Sequence, residues 1–215
     1  MVVGPLLALA SFVVSPALHT NVAAQLGSYA AHPDRTLLSV LFGIAAVAFV
    51  IVATLGLMHM LRERMVSYGN VGGGMALLGL VLAMASMGVG FVFWAMIKDG
   101  VQPADVAAAH KISHSGIGLV TLYILPLLSA VGYVVLAAGL WRAKAIDWWM
   151  GAAMAIGMVA INVSGPAASV VLGIVGSAIF LVGLGSIGAI IMRETDAEWE
   201  HTPEYHGFRA STGVS

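Results

Sequence analysis

Five stretches of this chain are apolar and contain no aspartate, glutamate, lysine or arginine: Val2 to Leu18, Leu37 to Leu61, Met75 to Ile97, Ile117 to Leu140 and Trp148 to Met192. A helix needs roughly 20 residues to cross the hydrocarbon core of a bilayer. The first four stretches are near that length, and the last is about twice it. Within it, "NVSGP", Asn162 to Pro166, supplies an amide, a serine, a glycine and a proline in succession. Such a cluster marks a turn, so the last stretch reads as two spans. The expected fold class is therefore an all-α polytopic integral membrane protein, a bundle of six transmembrane helices. The spans are placed at about 2–18, 37–61, 75–97, 117–140, 148–164 and 167–192. The first begins at Met1 without the basic region of a signal peptide and is read as a true span. Beyond it all, residues 193–215 hold five of the ten acidic residues and no periodic pattern, and read as a polar, disordered tail.

Composition excludes several kinds of protein. Mean hydropathy is +0.99, more apolar surface than a soluble domain of 215 residues can hide. The net charge of −1 offers no basic field for nucleic acid. There is no cysteine, which removes disulfides, thiolate metal sites and cysteine nucleophiles together. Pumps, proton-coupled carriers and voltage sensors need ionisable groups at depth, and a retinal protein needs a buried lysine. The apolar runs supply none of these, and the reading leans away from an enzyme.

Orientation is read from the basic residues between spans. Arg62, Arg64, Arg142, Lys144, Arg193 and Arg209 fall on one side, and Arg35, Lys98 and Lys111 on the other. The richer side is expected to be cytoplasmic, with both termini there and the protein in the cell (plasma) membrane.

Two groups of residues are candidates for chemistry. His110 and His114 are one helical turn apart, on one face, just before the fourth run. Joined by His19, they are the candidate ligands of a transition metal, and His19 with His114 is a candidate axial pair for haem. The zinc-hydrolase pattern fails, because Lys111 stands where that motif has its glutamate. The competing expectation is that these histidines only mark where a helix leaves water. The second group lies within the runs. Tyr123 and Tyr133 flank Pro126, which should kink the fourth span, and Asn162 sits at the turn. These three are the candidate ligand-binding residues of a cavity for an apolar or amphipathic molecule. Hydroxyls that merely bond their own helix are the bland alternative. Met150, Met154 and Met158 share one face, and Gly79 with Ala83, Gly151 with Ala155 and Gly185 with Ala189 form small-residue pairs. Both patterns read first as helix packing, and the pairs second as an oligomer contact.

The layout carries a resemblance. Short loops between six runs, "SPALHT" (Ser15 to Thr20) closing the first, "HPDR" (His32 to Arg35) before the second, and a charged polar tail resemble the uncharacterised six-span integral membrane proteins of bacteria. Members of that group often close the first span with a histidine–proline pair, whereas His19 here precedes Thr20. The resemblance implies a six-helix bundle and supplies no activity. The expected function is a non-enzymatic membrane protein that binds a lipid-like ligand, or a membrane partner or second copy of itself, within the bilayer. The alternative is a metal- or haem-binding redox or sensory protein using the histidines.

Overall fold

The computed structural model describes residues 1–97, 100–120 and 124–192. Tyr123, Lys98, Asp99 and the polar tail lie outside the described residues. What is described is helical, without a strand. The elements are α1 (Val3–Val14), α2 (Val22–Ala31), α3 (Pro33–Met60), α4 (Val66–Ile97), α5 (Pro103–His114), α6 (Gly116–Leu119), α7 (Leu127–Arg142), α8 (Trp148–Ser164) and α9 (Val170–Ile191).

Local chemistry accounts for most of the boundaries. Helix α1 stops at Ser15, whose extended backbone is the conformation that Pro16 imposes on its predecessor. Asn21 caps α2 by accepting from the Ala24 N–H at 3.1 Å. Pro33, at the first position of α3, ends α2 and starts α3, with Asp34 in the first turn facing the positive end of the helix dipole. Helix α5 opens on Pro103 with a reciprocal capping box between Gln102 and Asp105.

Two stretches depart from expectation. Helix α4 begins at Val66 rather than near Met75, so the run "VGGGM" is helical. The reason is close packing: a Cβ at Gly72 would lie 2.9 Å from the Leu136 backbone nitrogen, and one at Gly73 would overlap Met58. These glycines serve an interface instead of a loop. In the fourth run, α6 and α7 lie on either side of residues 121–123, which are outside the described residues, and Pro126 stands as the N-cap of α7. Proline lacks the N–H that a continuous helix would use, and the Leu125 N–H instead reaches back five residues to the Val120 carbonyl at 2.9 Å.

Helices α3, α4 and α9, of 28, 32 and 22 residues, are long and apolar enough to cross a membrane. Helices α1, α7 and α8 are apolar but shorter. Their outward faces are as apolar as their inward ones. Val52, Leu78, Val81, Val131 and Val182 all stand exposed along the helices, a surface that water disfavours and a bilayer accepts.

The six apolar helices pack in a closed circuit that follows chain order: α1 on α3, then α4, α7, α8 and α9, which returns to α1. Neighbours run antiparallel. Gly43 faces Ser11 while Gly56 faces Met1, and Gly173 faces Phe12 while Gly188 faces Met1. One end of the bundle thus holds Met1, the α3–α4 and α7–α8 connections and the end of α9. There Arg62 bonds the His59 ring and Arg64 donates to the Ala143 carbonyl at 3.3 Å. Arg142 bonds the Tyr68 hydroxyl and lies 5.4 Å from that ring's centre. At the other end α2, α5 and the last turns of α4 form a small cap, closed by Leu26, Ile97 and Ala109.

The core between the helices is dense at the Met1 end, where Leu57, Leu61, Leu136, Leu140, Leu184 and Ile187 are buried together. Met154 and Met158 join it, as packing. Small residues bring the backbones together. A Cβ at Gly79 would overlap Ser129, one at Gly157 would overlap Phe180, and one at Gly183 would overlap Met154.

Candidate functional site

Toward the α2 end the packing opens. Serines replace leucines on the facing sides of α1, α3, α4 and α7, and a cavity of about 380 Å³ remains among the helices. That is within the usual size of small-molecule sites. Its apolar wall includes Val47, Val50, Leu80, Met87, Met158 and Phe180, and Tyr29 of α2 covers it from the cap. Its polar wall includes Ser11, Ser39, Ser86, Ser129 and Asn162. Among the described residues, no Asp, Glu, Lys, Arg or His lines it.

The hydrogen bonds in the wall decide what it can offer. Ser11 Oγ donates to the Ser39 carbonyl at 2.8 Å, and Ser39 Oγ donates to the Ser11 carbonyl at 3.0 Å, stapling α1 to α3. Ser86 Oγ donates to Leu82 O of its own helix at 3.1 Å. Asn162 Nδ2 donates to Met158 O at 2.9 Å and to Ser129 Oγ at 3.1 Å, and Ser129 Oγ in turn donates to Pro126 O at 2.7 Å. A hydroxyl has one hydrogen and two lone pairs. The serine hydrogens are spent on carbonyls, so the wall presents acceptors to whatever enters.

The candidate ligand-binding residues divide. Asn162 is in the wall. Tyr133 is one layer behind it, fully buried, with its ring edge-on to Phe180 at 5.4 Å between centroids and its hydroxyl 2.7 Å from Thr54 Oγ1. Tyr123 lies outside the described residues. Ser11 and Ser39 were not singled out from the sequence. A serine in an apolar run usually bonds its own helix, and only the crossing of α1 and α3 gives these two a role.

The histidines separate into two places. His110 and His114 are exposed at the end of α5, a helix of its own, their rings stacked at 4.1 Å and 5° apart in plane. His19 is exposed in the α1–α2 connection, where its backbone N–H donates to Gln25 Oε1 at 2.6 Å. It lines an open pocket with His32 and Arg35. Among the described residues, no three side chains of the His, Cys, Asp and Glu types are grouped so that they could hold a metal ion.

The chain matches no family model, no curated protein and no solved structure.

Proposed function

We propose that this chain is a multi-pass membrane protein of the cell membrane whose six apolar helices all cross the bilayer. In this reading it binds a lipid-like ligand inside the bundle without transforming it. The observation that carries the reading is the cavity: roomy, mostly apolar, edged by hydroxyls and an amide, and without an Asp, Glu, Lys, Arg or His among the described residues that line it. An uncharged or apolar portion of a ligand fits such a wall, because burying a charge there would leave it without a partner. The three shorter helices complete their crossings with the residues that flank them, since about 24 Å of helix in α7 falls short of the roughly 30 Å core.

Filling the cavity tests the reading. Ala83 lines it from α4, and a phenylalanine there would occupy much of its volume. Native mass spectrometry of wild-type protein extracted from membranes in mild detergent should show a co-purifying lipid-sized adduct. The Ala83→Phe variant should lose the adduct while its helical circular dichroism stays unchanged. Wild-type protein that carries no adduct and takes up no added amphiphile would overturn the proposal.

A further inference from the structure

Beside the cavity lies a second pocket of about 450 Å³, open to the surface at the α2 end. Its chemistry is different. His19, His32 and Arg35 line it with Ser28, and no carboxylate of the described residues does. Arg35 forms no ion pair with a described residue. Its Nε donates to the Val14 carbonyl at 3.1 Å, an orphan acceptor at the end of α1. That bond fixes the guanidinium and leaves the pair of terminal nitrogens, the edge that meets a carboxylate or phosphate with two parallel hydrogen bonds. The ring nitrogens of His19 and His32 have no hydrogen-bond partner among the described residues.

The pocket and the cavity share a wall. Ser15 lines both. Along the α1–α2 connection, Ala17 lines the pocket and Leu18 the cavity, and in α2, Ser28 lines the pocket and Tyr29 the cavity. A cationic recess therefore adjoins an uncharged chamber across one short connection.

We propose that the two form one site for an anionic single-chain amphiphile. The phosphate or carboxylate headgroup sits on Arg35, His19 and His32, and the chain passes Ser15 into the cavity. This inference rests on the cavity reading and adds the headgroup. A free phosphate would satisfy the same recess, so the test must tell the two sources apart.

The experiment measures binding to the full chain in detergent by native mass spectrometry. The probes are oleoyl lysophosphatidic acid, monoolein (the same chain without charge) and inorganic phosphate. The phosphate-bearing lipid should bind about tenfold or more tightly than monoolein, the advantage expected of charge-assisted hydrogen bonds. Arg35→Gln should remove most of that advantage, read as the ratio of the two lipid affinities measured in the same variant. Because Arg35 also holds Val14, His19→Gln with His32→Gln is the second variant, and its exposed rings can be replaced without touching the core. It should reduce the advantage in the same direction. Equal binding of both lipids, unaffected by these variants, would overturn the headgroup inference and leave the cavity reading standing. Failure of both lipids to bind would overturn both. Inorganic phosphate that binds as tightly as the lipid would show that the chain contributes nothing, and would overturn the amphiphile in favour of a free anion.

Discussion

Tyr133 and Thr54 illustrate how direction in a hydrogen bond becomes energy. Thr54 Oγ1 lies 2.8 Å from Val50 O, a carbonyl that can only accept. The threonine's one hydrogen is used there, so the Tyr133 hydroxyl must donate to Thr54. Both residues are completely buried. Thr54→Val keeps the shape and strands the tyrosine O–H with nothing to donate to, which costs about 1–3 kcal/mol. Tyr133→Phe removes the donor and leaves Thr54 still bonded to Val50, at about 1 kcal/mol or less. Thermal unfolding in detergent should rank Thr54→Val as the more damaging of the two. The opposite ranking would show that the donor had been assigned backwards. The sequence marked Tyr133 as a polar group in an apolar run, which is correct. It could not say whether the ring faced a cavity or Phe180, because that depends on which helix lies opposite. Asn162 reads in the sequence as a cavity residue at a turn. It lies in the last turn of α8 and reaches across to Ser129 of α7, a partner 33 residues away in sequence.

At the scale of elements, small residues set the distances between helices, and this part was partly legible. The pair Gly79 and Ala83 was read as packing, and Gly79 sits where α4 meets the backbone of α7 at Ser129. The neighbouring glycines of "VGGGM" fall outside the expected span at 75–97, and glycine ordinarily weakens a helix by roughly 1 kcal/mol. Interhelical contact outweighs that propensity here. Position by position, the consequences differ. A Cβ on Gly74 meets nothing within 4 Å, while one on Gly79 would collide with backbone that cannot turn aside. Gly74→Ala should therefore be neutral or stabilise by up to about 1 kcal/mol through helix propensity. Gly79→Ala should destabilise by about 1–3 kcal/mol through overpacking. The measurement is the midpoint of thermal unfolding for each variant against wild type. Equal midpoints for the two would mean that α4 and α7 do not cross at Gly79. The turn between α8 and α9 was legible in place but not in detail. Gly165 keeps right-handed backbone angles, and the left-handed position falls on Ala168, with φ of 48°.

For the whole molecule, the helical class and the apolar runs were readable because a charge-free run of that length has few other uses. The circuit of helices was not readable, since no local pattern tells α9 to return to α1. That circuit nevertheless sharpens the topology. Antiparallel neighbours put the α3–α4 and α7–α8 connections at the Met1 end, which gathers Arg62, Arg64, Arg142 and Lys144. Arg35 and Lys111 belong to the α2 end, in α3's first turn and in α5. Basic residues are retained on the cytoplasmic side during insertion, so the Met1 end is expected to face the cytoplasm and the anion pocket the outside. The chain has no cysteine, which makes single-cysteine labelling clean. In intact cells, a membrane-impermeant maleimide should modify a cysteine placed at Asp105, half-exposed in the first turn of α5. It should fail to modify one at Arg142 until the cells are opened. Labelling at Arg142 but not at Asp105 would invert the orientation and turn the pocket of His19, His32 and Arg35 toward the cytoplasm. Labelling at both sites from outside would mean that the two ends of the bundle are not separated by a membrane. The six-crossing arrangement would then fall, whatever the cavity binds.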